Sequence, residues 1–271
     1  MLEKVTNKNV LSSTIIRHIK KDVFTNCLLY SQEHELEIEA GTLFIKEYPS
    51  NNLFMLKMRE NFAILNFYIN DKNAFLNDIA ELETELNGKK IVVEIAYKYG
   101  QSIDEYISLF TKSFFAVSLN RECLEKNNVG ASNELNLLDG LHLQRELINV
   151  KGVLDFLKEN FNEFTGCIPS IGVIEKRASN NELLVLEENF TRKIVGVLEY
   201  SADNKVTIKH LAIAKDYRGK GLAKYLLNLL SSQNKPIVTW TTSNSEAEKI
   251  YANNGFLKTS YKSTVLMYGG E

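Results

Sequence analysis

The chain contains 271 residues, of which 44% are apolar and 24% charged, and its formal net charge is −2. This length and balance suit a folded protein with one large domain or two ordinary ones, and they argue against long linkers and low-complexity tails. The near-neutral charge gives no reason to expect nucleic acid or an anionic membrane as a partner.

The first half of the chain is predicted to contain both helices and strands. Thr14–Tyr30 is mostly helical in character, and an apolar stripe from Phe75 to Leu86 predicts a second helix. Ser102, followed three residues later by Glu105, predicts a capping box that opens a third helix. Runs rich in β-forming residues predict four strands. These runs are Leu36–Glu47, Leu53–Met58, Phe62–Ile69 and Ile91–Tyr97.

The second half is predicted to follow the same order. A helical stripe extends from Val150 to Phe164, and another covers Leu222–Leu230. Ser245 and Glu248 form a second predicted capping box, whose helix would end at Asn254-Gly255. Three short runs separated by polar turns predict an antiparallel meander, and two later runs predict single strands. The five runs are Glu182–Glu188, Lys193–Ser201, Val206–Ala214, Pro236–Thr241 and Tyr261–Tyr268.

The spacing of these elements indicates an internal duplication. Ser102 follows Ile69 by 33 residues, and Ser245 follows Ile213 by 32. Capping boxes are common enough to agree by chance, but the shared order of elements favours two copies of one plan, about 144 residues apart. We therefore predict an α+β (mixed α/β) fold with two domains, residues 1–130 and 139–271, joined through a turn-rich segment at 127–133.

A glycine-containing loop carries the clearest chemical signal. The strand ending near Ile213 leads into Arg218-Gly219-Lys220-Gly221-Leu222-Ala223, which opens the next helix. The glycines let the backbone approach a ligand and let N–H groups converge, and the helix N-terminus adds positive charge, so the loop suits a diphosphate. The spacing fits neither a nucleotide P-loop nor the dinucleotide fingerprint. The alternative is a positively charged turn that caps an ordinary helix.

A second motif lies around the predicted helix that opens at Ser245. The sequence from Asn244 reaches Tyr251, then a few polar residues, and ends in Gly255-Phe256. Steps of three and four residues place Asn244, Ala247 and Tyr251 on one side of that helix.

Together the two motifs resemble the GNAT superfamily of N-acetyltransferases. Arg218, Gly221 and Ala223 take the three defined positions of that family's Arg/Gln-x-x-Gly-x-Gly/Ala loop. The helix that ends in Tyr251 and Gly255-Phe256 is similar to another helix of the family. The resemblance covers the chain from about Asp139 onward.

The resemblance implies that residues 139–271 bind acetyl-CoA without a metal and transfer its acetyl group to an amine. A backbone N–H near Ile213 would stabilise negative charge on the carbonyl oxygen. Tyr251, protonated at its ordinary pKa of about 10, would donate to the departing thiolate, and the alternative for this residue is core packing. The implied coenzyme-binding residues are Leu211, Ala212, Ile213, Arg218, Gly219, Lys220, Gly221, Leu222, Ala223, Asn244 and Tyr251.

The residue that deprotonates the acceptor amine is open at this point. Glu199 and His210 are the catalytic candidates on the predicted strands. Glu199 could equally be a solvated strand residue, and His210 a packed or paired core histidine. Some members of the family use a chain of water molecules instead.

The first half lacks the chemical features of the second. Its corresponding loop, Asn70–Phe75, has no glycine, and Asp71 would repel a diphosphate and suits an ordinary Asx cap. Ser108 stands where the second copy has Tyr251. The resemblance implies two GNAT-like domains, each a mostly antiparallel, splayed mixed sheet with helices on both faces, of which the first is degenerate. The alternative is a different α+β accessory domain.

The cysteines, the histidines and the N-terminus point to no further class of site. Cys27, Cys123 and Cys167 are far apart and suit free thiols in a reducing compartment. The four histidines are scattered without metal-ligand spacing, so we expect no metal site. We expect a cytoplasmic location and no membrane partner, because the start lacks a secretory signal and no apolar run is long enough to span a membrane.

The predicted function is that of an N-acetyltransferase, an enzyme of the acyltransferase class. Its acceptor would be a primary amine on a small molecule or a protein. The competing hypotheses are a non-catalytic acyl-CoA-binding regulatory module and a nucleotide site at Arg218–Ala223. The sequence does not identify the acceptor, the acyl chain length or the oligomeric state.

Overall fold

A computed structural model describes residues 1–27, 31–127 and 137–268. The chain forms two compact units: the first contains Met1–Leu119 and the chain from Ser263 onward, and the second contains Asn120–Lys262. The turn-rich segment that was predicted at 127–133 lies, beyond its first residue, outside the described residues.

The first unit is a mixed sheet with helices on both faces. Its strands are β1 (Glu3–Lys4), β2 (Phe24–Thr25), β3 (Leu43–Glu47), β4 (Leu53–Met58), β5 (Phe62–Ile69) and β6 (Lys90–Lys98). Its helices are α1 (Lys8–His18), α2 (Gln32–Glu39), α3 (Phe75–Leu86) and α4 (Asp104–Lys112). The sheet order is β1-β3-β4-β5-β6, with β5 and β6 parallel and the other pairs antiparallel.

The core of the first unit lies on both faces of this sheet. On one face, Phe75 of α3 and Phe110 of α4 pack on Phe67 of β5. On the other face, Leu11 and Ile15 of α1 pack on strands β3 and β4. The apolar stripe of α3 is buried as its spacing predicts, because residues three and four apart share one side of a helix.

Two predictions for the N-terminal region are wrong. The helix expected at Thr14–Tyr30 extends instead over Lys8–His18 and is followed by β2, while residues 28–30 lie outside the described part. The strand expected at Leu36–Glu47 is divided between α2 and β3, which are separated by a turn with Gly41 at φ +69°. His34 explains the helix start, because its Nδ1 accepts a hydrogen bond from the backbone N–H of the capping residue, Ser31 (3.0 Å).

The second unit repeats the architecture of a mixed sheet between helices. Its strands are the later part of β7 (Phe115–Lys126), β8 (Leu141–Gln144), β9 (Leu183–Glu188), β10 (Ile194–Ala202), β11 (Val206–Ile213), β12 (Ile237–Thr242) and the start of β13 (Leu257–Tyr268). Its helices are α5 (Val150–Asn160), α6 (Ile171–Ser179), α7 (Leu222–Ser231) and α8 (Glu246–Asn253). The sheet order is β7-β12-β11-β10-β9-β8, with β11 and β12 parallel.

Helices cover both faces of the second sheet as well. Leu226 and Leu230 of α7 pack with Tyr251 of α8 on one face, while Val153 and Leu157 of α5 pack with α6 on the other. The predicted meander is present as β9, β10 and β11. The predicted helices α5 and α7 and the predicted strand β12 are present as well. Helix α6 and strands β7 and β8 were not predicted, and α5 ends at Asn160 rather than continuing to Phe164.

Strands β7 and β13 each contribute residues to both units. The end of β7, from Arg121 to Lys126, pairs with β12 in the second unit. The end of β13, from Ser263, lies beside β6 in the first unit, where Leu266 joins the core. In the described parts of the chain, no helix is both long and apolar enough to cross a membrane.

Candidate functional site

Strands β11 and β12 separate after a short paired stretch. They pair in parallel only over Val206–Ile208 and Ile237–Thr239, although β11 continues to Ile213 and β12 to Thr242. At about 3.3 Å per residue, the unpaired part of β11 leaves a gap roughly 17 Å long. A linear ligand could therefore lie between the strands and bind their backbone groups.

The backbone of β11 presents hydrogen-bonding groups to this gap. Ala214, the residue after β11, donates its N–H to the carbonyl of Val195 on β10, so the backbone groups of Ala214 face β10. Because backbone groups alternate in direction along a strand, those of Leu211 and Ile213 point the other way, into the gap.

A β-bulge in β11 marks the place where the strands begin to separate. The register with β10 shifts between the pairs Tyr200–Ile208 and Glu199–His210, which leaves Lys209 as the extra residue. The shift also changes the face on which later side chains lie. Ile208 packs with the α7 face, whereas Ala212 packs with the α5 face.

The glycine loop opens into space at the end of this gap. Gly219 (φ +75°) and Gly221 (φ +81°) have backbone conformations that favour glycine, and a Cβ built on either would meet no protein atom within 4 Å. Gly221 is the N-cap of α7, and the first intrahelical bond runs from Tyr225 N–H to its carbonyl. The N–H groups of Leu222 and Ala223 precede that bond and have no helical acceptor, so this terminus suits an anion.

Basic side chains surround the loop. The Nε of Arg218 donates to the carbonyl of Ile213 (3.0 Å), and its Nη2 donates to Oδ1 of Asn160 (3.2 Å). These bonds tie the loop to β11 and α5 while Arg218 remains exposed. The Nζ of Lys220 lies 4.7 Å from the ring centroid of Tyr217. The loop therefore combines free N–H groups with positive charge.

Tyr251 lies at the opposite end of the gap. Its side chain is 6% exposed, and its hydroxyl is hydrogen bonded to the side chain of Thr239, the last residue of β12 that pairs with β11. Burial raises the pKa of Tyr251 to about 12, and the hydrogen bond from Thr239 opposes this shift. Tyr251 is therefore protonated at neutral pH and stands where the two strands join.

Asn244 does not share a helix face with Tyr251. It is exposed, has φ +58°, and precedes the N-cap Ser245, so the predicted common face with Ala247 and Tyr251 is not formed. The backbone N–H of Asn244 donates to Oε2 of Glu248 (2.8 Å), and Ser245 Oγ accepts from Glu248 N–H (3.2 Å). Ser245 thus caps the helix as predicted, and the carboxylate of Glu248 binds the N–H of the residue before the N-cap.

Glu199 and His210 form a buried network on the face opposite Tyr251. His210 Nδ1 is 2.6 Å from Oε2 of Glu199, and its Nε2 is 2.8 Å from the carbonyl oxygen of Gly166. Both ring nitrogens thus face acceptors, and both can donate only when the ring carries two protons. Arg177 lies 3.5 Å from the Glu199 carboxylate and binds Glu182 at 2.7 Å.

This network was not foreseen from the sequence, although two of its members were. Arg177 is 1% exposed and lies on α6. Because this helix was not predicted, the sequence did not indicate that the side chain is buried. The contact of Thr239 with Tyr251 was also not predictable, because in the sequence Thr239 is one polar residue within a predicted strand. Among the described residues, no group of three His, Cys, Asp or Glu side chains is arranged to hold a metal ion.

Part of the chain matches a known protein family, and the fold resembles solved structures. Residues 153–265 match the family model of the acetyltransferase (GNAT) domain. No curated protein matches the chain. The chain is similar to a solved GCN5-related N-acetyltransferase from Sphaerobacter thermophilus, with 11% identity, a TM-score of 0.60, and coverage of 98% of this chain and 94% of that one.

A second solved structure resembles both units together. It is described as a tandem GNAT protein from the clavulanic acid biosynthesis pathway, with 8% identity and a TM-score of 0.64. The likeness covers 100% of this chain and 99% of that one. At such identities the likeness establishes the fold, and it confirms the prediction of two GNAT-like domains.

Proposed function

We propose that the protein transfers an acetyl group from acetyl-CoA to a primary amine, and the match of residues 153–265 to the GNAT acetyltransferase domain supports this proposal. The observation that carries the proposal is the gap between β11 and β12, with the glycine loop at one end and the hydroxyl of Tyr251 at the other. The coenzyme would supply an activated thioester. The acceptor could be a small molecule or a protein.

The chain offers separate partners for the diphosphate, the pantetheine arm and the thioester of the coenzyme. The N–H groups at the start of α7, with Arg218 and Lys220, suit the diphosphate. The backbone groups of Leu211 and the N–H of Ile213 suit the amide groups of the pantetheine arm, because an extended arm can pair with a strand edge. A backbone N–H of β11 would then stabilise negative charge on the thioester oxygen.

Tyr251 is proposed to act mainly as a hydrogen-bond donor to the thiolate. Its pKa is about 12, while an ordinary thiol has a pKa near 8.5, so complete proton transfer from Tyr251 would cost about 5 kcal/mol. The attacking amine loses a proton when the new C–N bond forms and the C–S bond breaks. That proton can complete the thiol, while Tyr251 stabilises the charge during bond breaking.

Glu199 and His210 are proposed to support the site rather than to accept the amine proton. The carboxylate of Glu199 already binds His210, with Arg177 close by, and both ring nitrogens of His210 face acceptors. Through Gly166 the network fixes the loop between α5 and α6 against β11. The ring of Phe161, in the same loop, contacts His210 edge to face at 5.1 Å.

The test is thiol release from acetyl-CoA over a panel of amines, comparing the wild-type protein with Tyr251→Phe. We expect the variant to lower kcat about 10- to 100-fold, which is at or below the lower end of the effect of a full acid–base group because Tyr251 acts mainly as a hydrogen-bond donor, and to leave the Kd for acetyl-CoA within twofold. Tyr200→Phe is the matched control, because the hydroxyl of that buried tyrosine donates to the carbonyl of Asn181 (2.7 Å), which belongs to neither β11 nor β12. Tight acetyl-CoA binding without turnover on any amine would instead favour a regulatory binding module.

A further inference from the structure

The first unit contains a gap of the same kind as the second. Strands β5 and β6 pair in parallel over Phe62–Ile64 and Lys90–Val92, three pairs as between β11 and β12. Strand β5 then continues to Ile69 and β6 to Lys98. Since Phe62 and Val206 are 144 residues apart, both gaps open at equivalent positions.

The chain itself enters the gap of the first unit. Strand β2 pairs antiparallel with the end of β5, with Phe24 opposite Ile69 and Thr25 opposite Tyr68. Strand β4 already occupies the other edge of β5, where Leu53 pairs with Tyr68. Strand β2 therefore lies on the β6 side, in the gap.

The side chain of Asn26, next along the chain, connects the separated strands. Its Nδ2 donates to the carbonyl of Leu65 on β5 (3.1 Å) and to that of Glu94 on β6 (3.0 Å). Its Oδ1 accepts a hydrogen bond from the N–H of Phe67 on β5 (3.0 Å). One primary amide thus uses both of its donors and its acceptor on backbone groups that the strand separation leaves unpaired.

A carboxylate lies in the turn just before the helix that follows this gap. Oδ1 of Asp71 accepts hydrogen bonds from the N–H groups of Asn73 (2.9 Å) and Ala74 (3.2 Å), as the Asx cap predicted. Ala74 is the N-cap of α3, in the place that Gly221 has before α7. The first unit therefore has its own carboxylate where the second has an open cradle.

We propose that residues 24–26 permanently occupy the gap of the first unit, in the place where the second unit would bind the pantetheine arm. The first unit then binds no acyl-CoA, and each chain has one coenzyme site. The identity of the excluded ligand rests on the proposed function, whereas the occupation of the gap does not. The role of the first unit is accordingly independent of the coenzyme.

Two measurements on the full chain test the proposal. Native mass spectrometry with acetyl-CoA should give one bound coenzyme per chain, and Gly219→Ala/Gly221→Ala should reduce this to none at the same concentration. Amide hydrogen exchange at Phe67 should be slow and unchanged by acetyl-CoA. Asn26→Ala should accelerate that exchange at least tenfold, whereas the control Asn66→Ala, on the same strand, should not.

The outcomes separate this proposal from the proposed function. Two coenzymes per chain, with one remaining in the glycine variant, would overturn the proposal and leave the function intact. Faster exchange at Phe67 on adding acetyl-CoA would also overturn it, because the segment would then be displaced by ligand. If the wild type binds no acetyl-CoA, the proposed function fails, and slow exchange at Phe67 that depends on Asn26 still supports the occupied gap.

Discussion

Replacing Gly221 by alanine should separate coenzyme binding from stability. The residue has φ +81°, a conformation that costs a residue with a Cβ about 1–2 kcal/mol. The added Cβ would meet no protein atom, so the folded chain should lose little more than this. The methyl group would instead point into the space where the proposed diphosphate approaches the N–H groups of α7.

The expected loss of affinity follows from those N–H groups. A hydrogen bond to a charged group contributes about 1.5–3 kcal/mol, so losing one should weaken acetyl-CoA binding about 10- to 100-fold. Gly100→Ala is the matched control, because Gly100 has φ +84° and equally open surroundings in the first unit. We expect similar denaturant midpoints for the two variants and a difference in Kd.

Binding can be followed through the fluorescence of Trp240, the single tryptophan of the sequence, which lies on β12 beyond the paired stretch. Isothermal titration calorimetry provides a second measurement. If Gly221→Ala binds acetyl-CoA as tightly as Gly100→Ala, the helix terminus does not hold the diphosphate, and the assignment of the cradle is wrong.

Two further predictions concern buried charges. Arg177→Met should lower the unfolding free energy by about 3–5 kcal/mol, because it leaves the carboxylates of Glu182 and Glu199 without this partner. The control Lys176→Met should change the unfolding free energy by about 0.5 kcal/mol or less. Urea titration measures both variants. Burial lowers the pKa of His34 from 6.5 to about 4, so the unfolded chain binds this proton first as the pH falls. The stability that His34 contributes is present above pH 6.5, and the unfolding free energy should fall by about 3 kcal/mol towards pH 4. His34→Gln should remove this part of the dependence of the unfolding free energy on pH. An unchanged pH dependence in the variant would contradict the assignment.

Local patterns predicted much of the fold and of the candidate site. Strands β4 and β5 and helix α3 begin and end at the predicted residues. The spacing of their apolar residues is a local pattern that a short stretch of sequence contains in full. The glycine loop was also predictable, since left-handed turns and a following helix have a short sequence signature. The approach of Tyr251 to Thr239 depends on tertiary packing and could not be read from spacing.

Features that depend on distant partners were not predictable. Strand β7 pairs with β12, more than a hundred residues later, so the local sequence does not indicate its partner. Asn26 bridges groups 39 and 68 residues away, and a single asparagine carries no sign of such a role. His210 and Glu199 were considered separately, and the register of the hairpin with its bulge brings them together.

The two gaps suggest how the duplicated units came to differ in their need for a ligand. Strand separation leaves buried backbone groups that require partners, and Asn26 satisfies them in the first unit. The second unit leaves the backbone groups of Leu211 and the N–H of Ile213 to the proposed coenzyme, because the carbonyl of Ile213 already accepts from Arg218 Nε. Acetyl-CoA at a hundred times its Kd should therefore stabilise the second unit by about 2.7 kcal/mol and leave the first unchanged. Hydrogen exchange, slowed by acetyl-CoA at Leu211 but not at Phe67, would measure this difference, and equal slowing at both amides would refute it.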